Sequence, residues 1–127
     1  MLDSQASSVR SNGSTIVATR MRSSVVVTAP RDLGNGTLED LCDVVFRSFE
    51  AAQATSLILE LSGVDFMDSH EFSRLKALAD TVHFLGVKTI FVGLNAGIIS
   101  HLSHSNADLS GISATLALDD ALTLADA

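Results

Sequence analysis

The sequence has no tryptophan and no tyrosine, one proline and one cysteine, and few bases. Each shortage excludes something. Without Trp or Tyr, the core must be built from Leu, Val, Ile, Ala and six Phe. With Cys42 alone, no intrachain disulfide and no cysteine-rich metal site can form. Cys42 falls on the apolar side of a predicted helix, where a free thiol reads as a small, inert core residue. Lys and Arg number 8 against 15 Asp and Glu, a net charge of -7. Arg10, Arg20, Arg22 and Arg31 precede the first predicted helix, and neither Lys nor Arg follows Lys88. A nucleic-acid binder needs bases to neutralise phosphates, and an anionic membrane surface needs a polybasic segment. Neither partner is expected, which leaves proteins. No stretch reaches the roughly 18–20 apolar residues of a membrane span. Met1–Gly13 is polar and Ser-rich with no apolar centre, unlike a secretory signal. A cytoplasmic protein is the expectation.

What remains is enough for one domain. The chain has 127 residues, 46% of them hydrophobic, a length and an apolar share that suit one core. Residues 1–13 read as a disordered tail, because few apolar side chains offset the entropy of ordering them. The folded domain is expected over 14–127. Thr15–Arg20 and Ser24–Ala29 are β-branched runs that predict two adjacent strands, although Met21-Arg22-Ser23 between them lacks an Asn-Gly turn signal. Pro30 ends the second run, and Gly34-Asn35-Gly36 predicts a turn. Thr37–Ala54 carries Leu38, Leu41, Val45, Phe49 and Ala52 at helical spacing, with Thr37-x-x-Asp40 as a capping box at its start. Ser56–Leu61 is a continuous apolar run suited to a central strand. A second helix is expected from Asp68–Ser69, with Phe72, Leu75, Ala79 and Val82 inward and Gly86 as a left-handed stop. Val87–Val92 predicts another buried strand, Asn95–Ser103 a short helix, Ile112–Leu118 a weak last strand and Asp119–Asp126 a terminal helix. Alternation of this kind predicts an α/β domain: a mixed, mostly parallel sheet with about four flanking helices.

Catalytic patterns fail in turn. No Gly-x-x-x-x-Gly-Lys phosphate loop exists, and Gly34-Asn35-Gly36 is too short for a dinucleotide loop. His101 and His104 stand three apart on a predicted helix, but a metal site would need a third ligand; solvated surface histidines are the simpler reading. His70-Glu71 begins like a zinc-protease motif, yet the second histidine would have to be at Arg74. Ser69 as a nucleophile would need an oriented base, and His70 points about 100° away on a helix.

The informative segment is Val64-Asp65-Phe66-Met67-Asp68-Ser69, between the central strand and the second helix. Such junctions, outside the ends of parallel strands, are where α/β folds place their sites. Asp68 can cap the helix with Glu71 reaching back, which places Ser69 at the first helical position. There a phosphoryl group would meet first-turn N–H groups and the positive end of the dipole. An ordinary structural cap reads the same way.

Leu57-Ile58-Leu59-Glu60-Leu61-Ser62-Gly63-Val64-Asp65-Phe66-Met67-Asp68-Ser69 resembles the central signature of STAS domains, the anti-sigma-factor antagonist family. Phe84 to Leu94 is similar to the later helix–glycine–strand segment, and the resemblance spans roughly Ser14 to Ala125. It implies a single STAS domain, no enzymatic activity, and Ser69 as the serine that accepts phosphate from a partner kinase. ATP and Mg would come through the kinase, so no cofactor is expected on this chain. His70-Glu71-Phe72-Ser73 stands where free antagonists carry small residues such as Ser-Gly-Leu-Gly. That feature, with Gly93–Ile99, looks more like the small scaffold subunit of the stressosome (RsbS-type). Such subunits co-assemble with larger STAS co-antagonist proteins and sequester a serine/threonine switch kinase, which phosphorylation of the serine releases and a phosphatase restores. Asp65, Asp68, His70 and Glu71 are then the expected kinase contacts, and a homo- or hetero-oligomer is expected. The alternative is a free anti-sigma-factor antagonist that binds an anti-sigma kinase.

Overall fold

Strand pairing follows chain order. The computed structural model describes residues 6–11, 14–34, 36–51 and 53–127. It places β1 (Ala6–Ser11), β2 (Ser14–Met21), β3 (Ser24–Thr28), β4 (Ser56–Glu60), β5 (Lys88–Val92) and β6 (Ala114–Thr115) side by side in one sheet, in that order. The first three strands are antiparallel neighbours, and β3 to β6 run parallel. Parallel neighbours need crossovers. These are α1 (Thr37–Ala51), α2 (Ser69–His83) and α3 (Ala96–His104), and α4 (Leu118–Ala125) closes the chain.

Apolar alternation assigns the faces. Val25, Val27, Leu57, Leu59 and Phe91 point to one side, into a core with Leu41 and Val45 of α1, Phe72 and Leu75 of α2, and Ile98 and Leu102 of α3. Val26, Ile58, Ile90 and Val92 point to the other side, where Ala121, Leu122 and Ala125 of α4 cover them. Covered on both faces, the central strands can be apolar without interruption, and Leu57, Ile58 and Leu59 are each 0% exposed. Burial pushes the Cys42 thiol up from its ordinary pKa; it is half-buried against the first core rather than enclosed within it.

Several boundaries differ from expectation, among them the end of α1, which is Ala51 rather than Ala54. Ala6–Ser11 of the expected tail is strand β1, paired with β2 from Ala6↔Thr19 to Ser11↔Ser14. The backbone ladder supplies what its few apolar residues do not, and an edge strand needs less burial than a central one. The rest of that expected tail, with Asn35 and Ala52, lies outside the described residues. Thr37 is the first residue of α1 rather than its cap, and the Asp40 N–H donates to the Gly36 carbonyl at 3.2 Å. The last strand shrinks to Ala114–Thr115, and α4 starts at Leu118. The β2–β3 hairpin closes on Arg22 in the left-handed region, φ 56°, a conformation that costs a non-glycine residue about 1–2 kcal/mol. Arg22 is held there by Nη1 on Asp126 at 3.0 Å and by Arg20 Nε on its carbonyl at 2.8 Å.

The ends of β4 and β5 meet closely. Leu61 N–H donates to the Val92 carbonyl at 2.7 Å. Gly93, at φ 90°, lies against Ser62 so tightly that a Cβ there would stand 2.6 Å from Ser62 Cα and backbone nitrogen. Only glycine fits that crossing. The crossing fixes where the chain leaves β4 towards α2.

Candidate functional site

From β4 the chain runs through Leu61 to Asp68 before α2 begins. Val64 is 3% exposed and Met67 0%, so two apolar anchors pin the connection to the core while the residues between them face out. Asp68 is the N-cap: its Oδ1 accepts from the Glu71 N–H at 2.8 Å, and the Asp68 N–H donates to Glu71 Oε1 at 3.0 Å. This is the reciprocal capping box that the spacing predicts. Ser69 follows as the first helical residue, half-buried, at the end of the sheet where the parallel strands finish. The box takes up the Asp68 and Glu71 N–H groups; those of Ser69 and His70 are first-turn groups for which an α-helix offers no acceptor. With the dipole, they make the surroundings of Ser69 favourable to an added anion.

The structure separates the expected contact residues into kinds. Asp68 and Glu71 are half-buried, and one carboxylate oxygen of each accepts from a backbone N–H. His70 is exposed on the next helical position. Asp65 is exposed but engaged: Arg31 Nε and Nη2 both donate to its Oδ2, at 3.0 and 2.8 Å. The Asp65 N–H also donates to the Arg31 carbonyl at 3.1 Å. Chemically the junction can present a hydroxyl and accommodate charge. One oxygen of each of the Asp68 and Glu71 carboxylates accepts from a backbone N–H in the capping box.

Two residues at the site were not legible as site residues. Arg31 follows Pro30 at the end of β3, and it reaches Asp65 because β3 and β4 are parallel neighbours in register from Ser24↔Ser56 to Thr28↔Glu60. The signal was a base directly after a strand at the same sheet end as the Asp-Ser segment. His101 was read as a surface or metal-binding histidine. It is exposed on α3 as that surface reading has it, and its ring also lies 4.9 Å from that of Phe66, tilted by 56°, a favourable geometry for an aromatic pair. Phe66 keeps 55% of its surface exposed, a large apolar side chain three residues from Ser69. Among the described residues no group of three or more His, Cys, Asp or Glu is placed to hold a metal ion.

Comparison with known proteins fits this architecture. The STAS-domain family pattern matches residues 15–120, and the chain belongs to that family. Among solved structures it is similar to a serine-to-glutamate variant of RsbS from Moorella thermoacetica, at 14% identity and a TM-score of 0.70, covering 96% of this chain and 95% of that one. It is similar to a chain of the stressosome, described as a signal integration and transduction hub, at 16% identity and TM-score 0.73, covering 86% of this chain and 95% of that one. Murine Solute Carrier 26 family member A9, an anion transporter, shares the fold at 22% identity and TM-score 0.69 over 84% of this chain, which spans 18% of the transporter. At these identities the likeness is one of fold. No helix among the described residues is long and apolar enough to cross a membrane. Among curated proteins none matches the sequence.

Proposed function

We propose that this chain is a non-enzymatic, phosphorylatable scaffold of the stressosome type, which holds a serine/threonine switch kinase and releases it when Ser69 is phosphorylated. The observation that carries the reading is Ser69 itself: the first residue of α2, directly after a complete Asp68–Glu71 capping box. Likeness of fold to RsbS and to a stressosome chain supports it. The γ-phosphoryl of ATP passes to Ser69 Oγ, ADP leaves, and the hydroxyl proton goes to a base on the kinase, which also brings Mg. A phosphatase restores the serine by hydrolysis. Asp65 with its Arg31 partner, Asp68, His70 and Glu71, together with the exposed Phe66, form the surface offered to the kinase. Larger STAS co-antagonist proteins are the assembly partners, in the cytoplasm.

The test is to incubate the protein with its co-purifying kinase and Mg-ATP and to map the product by mass spectrometry. Phosphate is expected on Ser69, and Ser69→Ala is expected to remain unmodified. Modification mainly at Ser62 or Ser73, with Ser69→Ala still a full substrate, overturns the assignment. Size then separates the scaffold from a free anti-sigma-factor antagonist. With a larger STAS protein the scaffold forms very large particles, whereas a free antagonist stays small and binds an anti-sigma kinase.

A further inference from the structure

The β-branched run at the end of the chain predicts a strand from Ile112, yet β6 begins only at Ala114. The residue left without a neighbour is Thr89. Even-numbered residues of β5 bond towards β4: Lys88 N–H donates to the Thr55 carbonyl at 3.1 Å, and the Val92 carbonyl accepts from Leu61 N–H at 2.7 Å. Odd-numbered residues bond the other way. Phe91 N–H donates to the Ser113 carbonyl at 2.8 Å, and Gly93 N–H to that of Thr115 at 3.0 Å. By that alternation the Thr89 N–H and carbonyl face the line of β6, and among the described residues neither has a backbone partner. The Thr89 hydroxyl is likewise buried without a partner. A strand edge with unpaired N–H and C=O groups is a ready template for further pairing.

The chain that approaches β6 is held at both ends. Lys76 Nζ lies 3.2 Å from Asp108 Oδ2 and donates to the Asp108 carbonyl at 2.9 Å, and Ser113 is fixed by Phe91. In between, Gly111 turns the chain with φ 74°, and nothing lies within 4 Å of the place its Cβ would take. Gly111, Ile112 and Ser113 share the lining of a surface cavity of about 490 Å³ with Thr89 and Phe91 of β5 and Ala79 of α2.

We propose that residues 109–113 are a strap that closes onto β5, extending β6 back to Gly111 and shutting the cavity. The register settles the bonds. Phe91 pairs with Ala114 and donates to the Ser113 carbonyl. One step back along the parallel ladder, the Thr89 N–H meets the Gly111 carbonyl and the Ser113 N–H meets the Thr89 carbonyl. Both strap groups are unpaired among the described residues. Ile112, two residues before Ala114, takes the face of Phe91, so its side chain moves into the cavity as the strand forms. Gly111 is the hinge: extension requires its left-handed φ to return to the extended region, and glycine makes that change at no steric cost. The observed arrangement is the open one. The strap lies apart from Ser69, and the switch does not depend on it.

NMR relaxation dispersion tests it, with thermal melts as the check on folding. The wild-type chain is expected to show microsecond-to-millisecond exchange at Thr89 and at residues 111–113. Gly111→Ala has room for its methyl and opposes only the left-handed φ. It is expected to raise the closed-to-open ratio by roughly tenfold and to strengthen the cross-strand contacts between Thr89 and Ile112. Ser113→Pro removes the closing donor but keeps the carbonyl that Phe91 uses, and proline is tolerated at the start of a strand. Added to Gly111→Ala, it is expected to return the strap to the open form. A glycine needed only for the turn would lower the melting temperature without bringing Ile112 to Thr89. A Gly111→Ala chain without the rise in the closed form overturns the proposal, as does one whose exchange Ser113→Pro leaves unchanged.

Discussion

Arg31 reaches across from the end of β3 to Asp65, and two of its nitrogens, Nε and Nη2, donate to the same carboxylate oxygen. The acid that the sequence offers as a kinase contact therefore arrives with its own counter-ion. Two parallel strands, 34 residues apart in sequence at this point, are joined just beside the loop that leads to Ser69. The junction is less acidic than Asp65, Asp68 and Glu71 suggest when counted alone.

The Arg31–Asp65 pair is expected to matter more for partner binding than for folding. Its side chains are 81% and 62% exposed, and exposed pairs contribute about 0–1 kcal/mol. Arg31→Ala should thus cost less than about 1 kcal/mol in urea unfolding. Kinase affinity should change with a different salt dependence, since Asp65 is then uncompensated. A stability loss several times larger would show that the pair holds the fold.

Removing the cap should act on the fold. Asp68→Ala deprives the Glu71 N–H of its acceptor and is expected to cost about 0.5–2 kcal/mol, read by denaturant unfolding. Asp68→Asn keeps an accepting oxygen and should lose much less. If Asp68→Ala unfolds at the wild-type midpoint, the capping box is not formed in solution.

Three glycines give a ranking with no free parameter. At Gly93 an added methyl meets the Ser62 backbone at 2.6 Å, with φ 90°, and Gly93→Ala should cost about 3 kcal/mol or more. At Gly86 nothing lies within 4 Å but φ is 82°, so alanine should cost about 1–2 kcal/mol. At Gly63 the space is open, and alanine should be within about 0.5 kcal/mol of neutral. Thermal unfolding of the three variants checks the order, and a Gly93→Ala chain as stable as Gly63→Ala would contradict the close crossing of β4 and β5.

Asp108 supplies a pH marker. Hydrogen bonds from the Ser110 hydroxyl and N–H, and then Lys76, lower its pKa to about 2. The folded value lies below the unfolded one, so its stabilising effect is complete above the ordinary carboxylate range and disappears as pH falls towards 2. A carboxyl titration followed by NMR should place its midpoint near that value. Ser110→Ala, which removes the largest cause, should move the midpoint up more than Lys76→Met does. A midpoint at the ordinary aspartate value would mean that the Lys76–Asp108–Ser110 contacts do not persist in solution.

The elements were legible wherever periodicity was strong. Ser56–Leu61 and Val87–Val92 are unbroken apolar runs that only covered strands tolerate, and Asp68-x-x-Glu71 encodes a helix start that the structure reproduces bond for bond. Less was legible where tertiary contacts decide. Strand β1 has too little apolar character to predict itself and exists through its pairing with β2. The hairpin turn at Arg22 has no local signature, because its left-handed residue is held by Asp126, 104 residues away in sequence. At the site, Ser69 and its cap were local and readable. Arg31 and His101 come from β3's end and from α3, and no spacing rule links them to Asp65 and Phe66.

The sign of the switch follows from the same geometry. Phosphate at Ser69 brings about -1.5 to -2 charges to the start of α2, where first-turn N–H groups and the dipole offset part of them, by roughly 0.3–1 kcal/mol. Ser69 is only half-buried, so water solvates the remainder and the fold should survive. A docked kinase removes that water. A dianion covered by a partner without a matched cation costs several kcal/mol, and each ~1.4 kcal/mol is tenfold in affinity. Arg31 does not remove the cost, because its guanidinium already lies on Asp65. Phosphorylation is therefore expected to weaken kinase binding by at least about ten- to a hundredfold while leaving the unfolding midpoint nearly unchanged. Ser69→Ala should hold the kinase permanently, and Ser69→Asp, with about half the charge and a different shape, should release it only in part. Affinity by calorimetry and stability by thermal melt, measured side by side for the four forms, decide the matter. A phosphorylated chain that binds the kinase as tightly as the unmodified one removes Ser69 as the switch, and one that unfolds would place the effect in the fold rather than at the interface.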